Sequence, residues 1–288
     1  MSMNWKNLYD DKNGTWRKGN LHTHTNKSGC GKMPIADVLK TFEDARFDFL
    51  AITDHNVYID TKAATSSMTM LQGIEIDIKG YDHMGAISVD APFYDASLSQ
   101  QELIDRNIER GNLVVLHHPD WQLNEHYPMQ KLQSLMRYDG IEIFNSVIEF
   151  LDGSALSTAK WDRLLMADRR VLGFCNQDFH DRPHLSDCAN VVRTKSPDAK
   201  DILAALKNGN FYCHHGVIIE DIGRDGDTVF VRTKNAKLIR FIGNGGIVFR
   251  NVKASNADIT INEKWKYVRI ECLGEGDEIS WSQPFYIS

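Results

Sequence analysis

The sequence predicts an α/β protein in which a barrel of parallel strands (residues 19–215) follows a short tether (1–18) and precedes a small all-β, sandwich-like domain (216–288). Three observations carry this prediction. Seven strand-like apolar runs alternate with helical patterns, ionisable residues sit at or near the ends of nearly all seven, and from residue 216 the texture changes to short alternating runs. Strands alternating with helices mark a parallel sheet with crossover helices, whereas period-two runs with turn dipeptides mark antiparallel β.

Residues 1–18 are polar and aromatic without clear periodicity. In LHTHT (21–25), His22 and His24 project from one face, because strand side chains repeat every second residue. Pro34 at a first helical turn then precedes Ile35, Val38, Leu39 and Phe42 at helical spacing. The next strands are FDFLAITDH (47–55), ending in Asp54 and His55, LQGIEID (71–77) with Glu75, and YDHMGAISV (81–89) with His83. Ser99 and Glu102 form a capping-box pattern that opens a helix closed by Gly111. LVVLHHP (113–119) ends in His117 and His118, and GIEIFN (140–145) carries Glu142 near the expected site. An amphipathic helix over 154–170 leads to VLGFCNQDFH (171–180), which ends in Asp178 and His180. Ser196 as N-cap, Pro197 and Gly209 frame a closing helix. Beyond 216, runs such as TVFVR and WKYVRIEC are punctuated by Asp225-Gly226 and Asn244-Gly245-Gly246 turns.

Composition excludes several classes. A net charge of −6 argues against a wide basic surface for extended duplex nucleic acid or an anionic membrane. No run approaches about 18 consecutive apolar residues, and the N-terminus lacks the apolar core of a secretory signal, so a cytoplasmic location is expected. The five cysteines are scattered and without C-x-x-C spacing, which favours neither a disulfide framework nor a zinc-thiolate site.

In a barrel of parallel strands the strand ends converge, so His22, His24, His55, Glu75, His83, His118, Asp178 and His180 are expected in one pocket. Imidazoles and carboxylates without thiolate suit zinc, manganese or iron and disfavour calcium. They are too many for one ion. Two or three ions with a bridging carboxylate would hold a hydroxide at neutral pH and polarise a phosphoryl or carbonyl oxygen, so hydrolysis is the expected reaction. The sequence names no general acid. Asp54 is read as a group that orients a ligating imidazole, and Trp121, Trp161 and Trp281 as packing residues.

The ordered series HTH, TDH, E, H, HP and D-x-H closely resembles the polymerase and histidinol phosphatase (PHP) family of metal-dependent phosphoesterases, over residues 19 to about 215. The resemblance implies a distorted (β/α)7 barrel and a multinuclear manganese, iron or zinc site. It implies that His22, His24, Glu75 and Asp178 serve one ion, and that Glu75 bridges to a second held by His83 and His118. His118 is chosen over His117 because Pro119 follows it. His55 and His180 would serve a third ion. Where relatives often read S-D-G, this chain reads Ser28-Gly29-Cys30, so the third ion's usual carboxylate is absent. Water, substrate or Cys30 are candidates for the gap, and a two-ion centre is the expectation.

The tail, with Tyr267-Val268-Arg269 and Trp281 to Phe285, resembles the β-domain of the branch named after carbaryl hydrolase, and FYCHHGV (211–217) stands where such relatives often carry FYxSTG. His214 and His215 are therefore candidates for substrate contact or for interdomain hydrogen bonding. His117 is either packed or aimed at substrate, and Arg182 is either a phosphate contact or an exposed loop arginine. His126 and His184 are read as solvent-exposed. The expected function is a phosphoesterase acting on a small phosphomonoester or a nucleotide or oligonucleotide end, toward which Arg182, Lys27 and Lys32 lean. A carbamate, ester or amide hydrolase is the alternative should the pocket be apolar and free of cations. A non-catalytic metal-binding protein has only Gly29 in its support.

Overall fold

The computed structural model describes residues 8–9, 13–78, 81–122 and 126–287. Strands β1 (Thr15–Asn20), β2 (Phe49–Ile52), β3 (Thr69–Ile78), β4 (Tyr81–Ser88), β5 (Leu113–Leu116), β6 (Gly140–Asn145) and β7 (Leu172–Asn176) are hydrogen-bonded side by side in chain order. Just beyond β1 and β7 the chain pairs again at Thr23 and Phe179, where His24 N–H donates to the Phe179 carbonyl (2.8 Å). The segments following the first and the last of the seven strands are thereby joined.

The pairing is parallel except around β4, which is antiparallel to both β3 and β5. This departs from a regular run of parallel strands. It also explains why His83 stands near the start of its strand while the other candidate ligands stand near or past the ends of theirs: an inverted strand begins where its neighbours finish. Helices α1 (Ile35–Asp44), α2 (Gln100–Glu109), α3 (Met129–Ser134) and α4 (Thr158–Met166) occupy four of the connections, and β3 follows β2 without one. Helix α1 buries Val38, Leu39 and Phe42. The capping box at the start of α2 is formed, with Ser99 N–H donating to Glu102 (2.9 Å), and Gly111 just past its end has φ +79°.

Strand β1 starts at Thr15 rather than about 19, because Thr15–Gly19 pairs antiparallel with β8 (Ala189–Thr194). Part of the expected tether is therefore sheet. Helix α5 (Ala199–Lys207) begins after Asp198, later than Ser196 and Pro197 suggested; Ser196 instead accepts from Asp198 N–H (3.0 Å) and shapes the turn before it. Gly209, at φ +72°, ends that segment and leads to β9 (Phe211–His214).

Eight further strands follow: β10 (Ile219–Asp225), β11 (Thr228–Thr233), β12 (Leu238–Gly243), β13 (Ile247–Val252), β14 (Asn256–Thr260), β15 (Tyr267–Leu273), β16 (Ile279–Ser282) and β17 (Phe285–Tyr286). The first two and β14 form a separate three-stranded sheet, while β16 pairs with β9 and so carries β15, β12 and β13 onto the edge of the large sheet. Val229, Val231 and Ile259 from the small sheet share a buried cluster with Ile239, Phe241 and Ile270 from the large one. Two sheets closing on alternating apolar faces is sandwich packing.

A buried ion-pair network joins β15 to α4. Arg269 donates through two nitrogens to Asp162 (2.8 and 2.7 Å) and through a third to Glu271 (2.8 Å), and the Tyr267 hydroxyl also donates to Asp162 (2.7 Å).

Candidate metal centre

His22 and His24 follow β1 in extended chain and are fully buried. Their Nε2 atoms each approach Glu75 Oε2 (3.2 and 3.1 Å) and Asp178 Oδ1 (both 3.1 Å). All four of these atoms are buried and lack a hydrogen-bond partner. Two imidazole nitrogens and two carboxylate oxygens about one ion at ~2.1 Å, tetrahedrally placed, stand about 3.4 Å apart. The spacing fits a divalent cation of the manganese, iron or zinc type. The other oxygen of Glu75 faces a second group, His83 Nδ1 at 3.3 Å and His118 Nε2 at 3.4 Å. One carboxylate thus presents an oxygen to each of two ligand clusters.

The ring orientations are set from behind. Glu142 accepts from His22 Nδ1 (2.8 Å), from His118 N–H (2.7 Å) and from the amides of Asn145 and Asn176 (both 2.9 Å). Burial alone would raise its pKa, yet His117 and His22 hold it down at about 2. The Ser28 hydroxyl donates to Asp54 (2.7 Å), so it accepts from His24 Nδ1–H (3.1 Å) and from His55 N–H (2.9 Å). In both rings the proton sits on Nδ1, which leaves Nε2 facing inward for a cation. Asp54 does not touch the His55 ring; it binds the Thr25–Ser28 turn and acts through Ser28. His118 and Asp178 have φ of +30° and +52°, backbone strain of the kind that collects at functional sites.

His55 Nδ1 lies 3.3 Å from Glu75 Oε2, and the His180 ring stacks on His24 at 4.4 Å while its Nδ1 donates to the Asp178 carbonyl (2.6 Å). Cys30, exposed, has a potential ligand atom within 4.8 Å of others on His24 and His55. No described carboxylate takes the place of the one missing at Gly29 in that cluster.

The remaining candidates are placed differently. His117 is buried behind Glu75, to which its Nδ1 donates (2.8 Å); a Cβ on Gly85 would collide with its ring. His214 is held between Asp187 (2.7 Å) and the Val217 carbonyl (3.0 Å), and His215 packs on Phe144 at 4.8 Å. Arg182 is exposed in a surface groove with Thr41, Asp44 and Leu185. None of these four is among the described residues lining the cavity at the ligand cluster.

His126 corrects the sequence reading in the other direction. It is buried, beside His83 and His118 with ring centroids 4.8 Å from each, and its Nε2 accepts from His83 N–H (3.1 Å). A histidine isolated in a polar loop carries no periodic signal, so only the folded loop reveals this. His126→Ala leaves the His83 amide unsatisfied and is expected to weaken cation binding at the His83–His118 cluster by about tenfold or more while binding at the His22–His24 cluster is unchanged. Titration calorimetry with manganese checks this, and two unchanged affinities would count against it.

The charge balance predicts a pH effect. Burial disfavours a charged His24, but Asp178 and Glu75 outweigh it and raise the pKa to about 9. A raised pKa stabilises the fold fully below the unfolded value near 6.5 and loses that contribution as pH rises through about 9. Chelator-treated protein is therefore expected to lose melting temperature between pH 7 and 9, and metal-loaded protein is not, because the cation replaces the proton. A flat chelator-treated profile would refute this.

Comparison with solved structures places this geometry in context. A two-domain protein from Bacteroides vulgatus ATCC 8482, described as containing a predicted PHP-like metal-dependent phosphoesterase, matches with a TM-score of 0.51 at 14% identity, covering 100% of this chain and 98% of its own. PsfC from Pseudomonas syringae PB-5123 matches with a TM-score of 0.47 at 14% identity, covering 66% of this chain and 88% of its own. A scan against protein-family models finds no match, and neither does a comparison with curated proteins. Among the described residues no helix is long and apolar enough to cross a membrane. Along its whole length, this chain is similar in fold to a two-domain protein described as containing a predicted PHP-like metal-dependent phosphoesterase.

Proposed function

We propose that the chain is a metal-dependent hydrolase of phosphate esters with two divalent ions, manganese, iron or zinc, at the cluster around Glu75. The observation that carries this is the set of four buried, unpaired ligand atoms on His22, His24, Glu75 and Asp178. Such atoms are costly to bury and are paired in native proteins, so their convergence points to a cation. When bound, the ions supply a water nucleophile ionised near neutral pH and a Lewis acid for the ester oxygen. The chain's own groups do the positioning: Glu142 and Ser28 hold the first two imidazoles, and His117 holds Glu75 by its Oε1.

One observation supports the second reading, a carbamate, ester or amide hydrolase. The cavity is lined by Cys30, His55, Glu75, His83, His118, Trp121, Leu151, Asp178 and His180, with no lysine or arginine among the described residues. Arg182 lies elsewhere and Lys32 is paired with Asp181 at 3.3 Å, so the lean toward phosphate from these side chains is withdrawn. The test is hydrolysis of p-nitrophenyl phosphate, a phosphodiester analogue, 3′- and 5′-nucleotides and an aryl carbamate, with metal content measured on the same sample. Phosphate ester turnover upholds the first reading, and carbamate turnover alone replaces it with the second.

A further inference from the structure

The loops that follow β5 and β6 build a wall over the metal cluster. Trp121 and Gly153 pair as an antiparallel bridge, with Ser154 N–H donating to the Asp120 carbonyl (2.9 Å) and Gln122 N–H to that of Asp152 (3.1 Å). A Cβ on Gly153 would strike the Asp120 carbonyl, so glycine permits the close approach. The Trp121 ring lies 5.0 Å from that of His118 and 5.7 Å from that of His83. It faces the second ligand cluster directly, beyond the packing role read from sequence. Leu151 lines the same cavity, and Phe150 beside it is 64% exposed. The cavity encloses about 240 Å³. A void of roughly 150 Å³ accepts benzene, so there is room for one ring beside the ligands.

Charge sets a second limit. Two divalent ions would face four buried carboxylates, Glu75 and Asp178 among the ligands and Glu142 and Asp54 behind them, leaving no excess positive charge for nucleophile and substrate to share. Arginine and lysine are favoured partners of terminal phosphate dianions, and the described lining has neither.

We propose, resting on the phosphoesterase reading above, that the site selects phosphodiesters whose reacting group carries one negative charge and bears an apolar, ring-sized substituent seated against Trp121 and Leu151. Phosphomonoesters and nucleotides are then poor substrates. The test uses the full chain loaded with manganese and three esters with the same leaving group: p-nitrophenyl phosphate, methyl p-nitrophenyl phosphate and phenyl p-nitrophenyl phosphate. The phenyl diester is expected to exceed both others in kcat/KM by about tenfold or more. In Trp121→Ala, and separately in Leu151→Ala at a half-exposed position that tolerates change, the phenyl-to-methyl ratio is expected to fall to within about threefold, chiefly through KM. A monoester that matches the diesters, a ratio unchanged in both variants, or three manganese ions per chain overturns the proposal and leaves the phosphoesterase reading standing. Turnover of p-nitrophenyl N-methylcarbamate with none of the three phosphate esters overturns both.

Discussion

Asp178→Ala is expected to reduce hydrolysis by about a thousandfold or more and to release metal from the first cluster. Asp178 Oδ1 is within 3.1 Å of both His22 and His24 Nε2, and its other oxygen is 3.9 Å from His118 Nε2. No other described carboxylate reaches both clusters except Glu75. A metal ion contributes several kcal/mol to a hydrolytic transition state, and each ~1.4 kcal/mol is a factor of ten. His22→Ala is expected to behave alike, since its Nε2 shares the same two oxygens and its Nδ1 satisfies Glu142. Kinetics with metal analysis on the same sample checks both variants. Full activity with full metal content in either one removes the residue from the centre.

Arg269→Ala is expected to destabilise the fold by about 3 kcal/mol, with a melting temperature lower by about 5 °C or more. Arg269 is 2% exposed and makes three hydrogen bonds to Asp162 and Glu271. Its removal strands Asp162 in a low-dielectric site with, among the described residues, only the Tyr267 hydroxyl as side-chain partner. The paired replacement Arg269→Met with Asp162→Leu removes both charges and is expected to recover much of the loss. A double variant as unstable as the sum of its parts would mean that packing, and not the stranded charge, sets the cost.

Strand content and most of the clustered imidazoles and carboxylates were readable because both depend on local order. His-x-His on a strand must share a face, and an ionisable residue at the end of an apolar run is conspicuous. Glu142 was visible as a buried acid, but its four hydrogen bonds come from residues 22, 118, 145 and 176, so its role as the post behind His22 was not. His126 and His117 show the same limit in opposite directions. One turned inward from a loop that looked polar, and the other turned away from the cavity because Gly85 on the neighbouring strand left room behind Glu75.

What the sequence by itself determined is the inventory of seven apolar strands in order, the imidazoles and carboxylates at or near their ends that are candidate ligands, and an alternating β tail. These follow from side-chain periodicity and the cost of burying charge, which act within a few residues. Only the tertiary structure decided that β4 runs backwards and so brings His83 to the shared face, that Arg182 lies away from the cavity, and that Trp121 and Leu151 wall it. The reversal of β4 is local, since Ile78 of β3 pairs with Tyr81 of β4, but the β4–β5 pairing and the Trp121–Gly153 bridge join residues about thirty positions apart that carry no mark of one another in the chain.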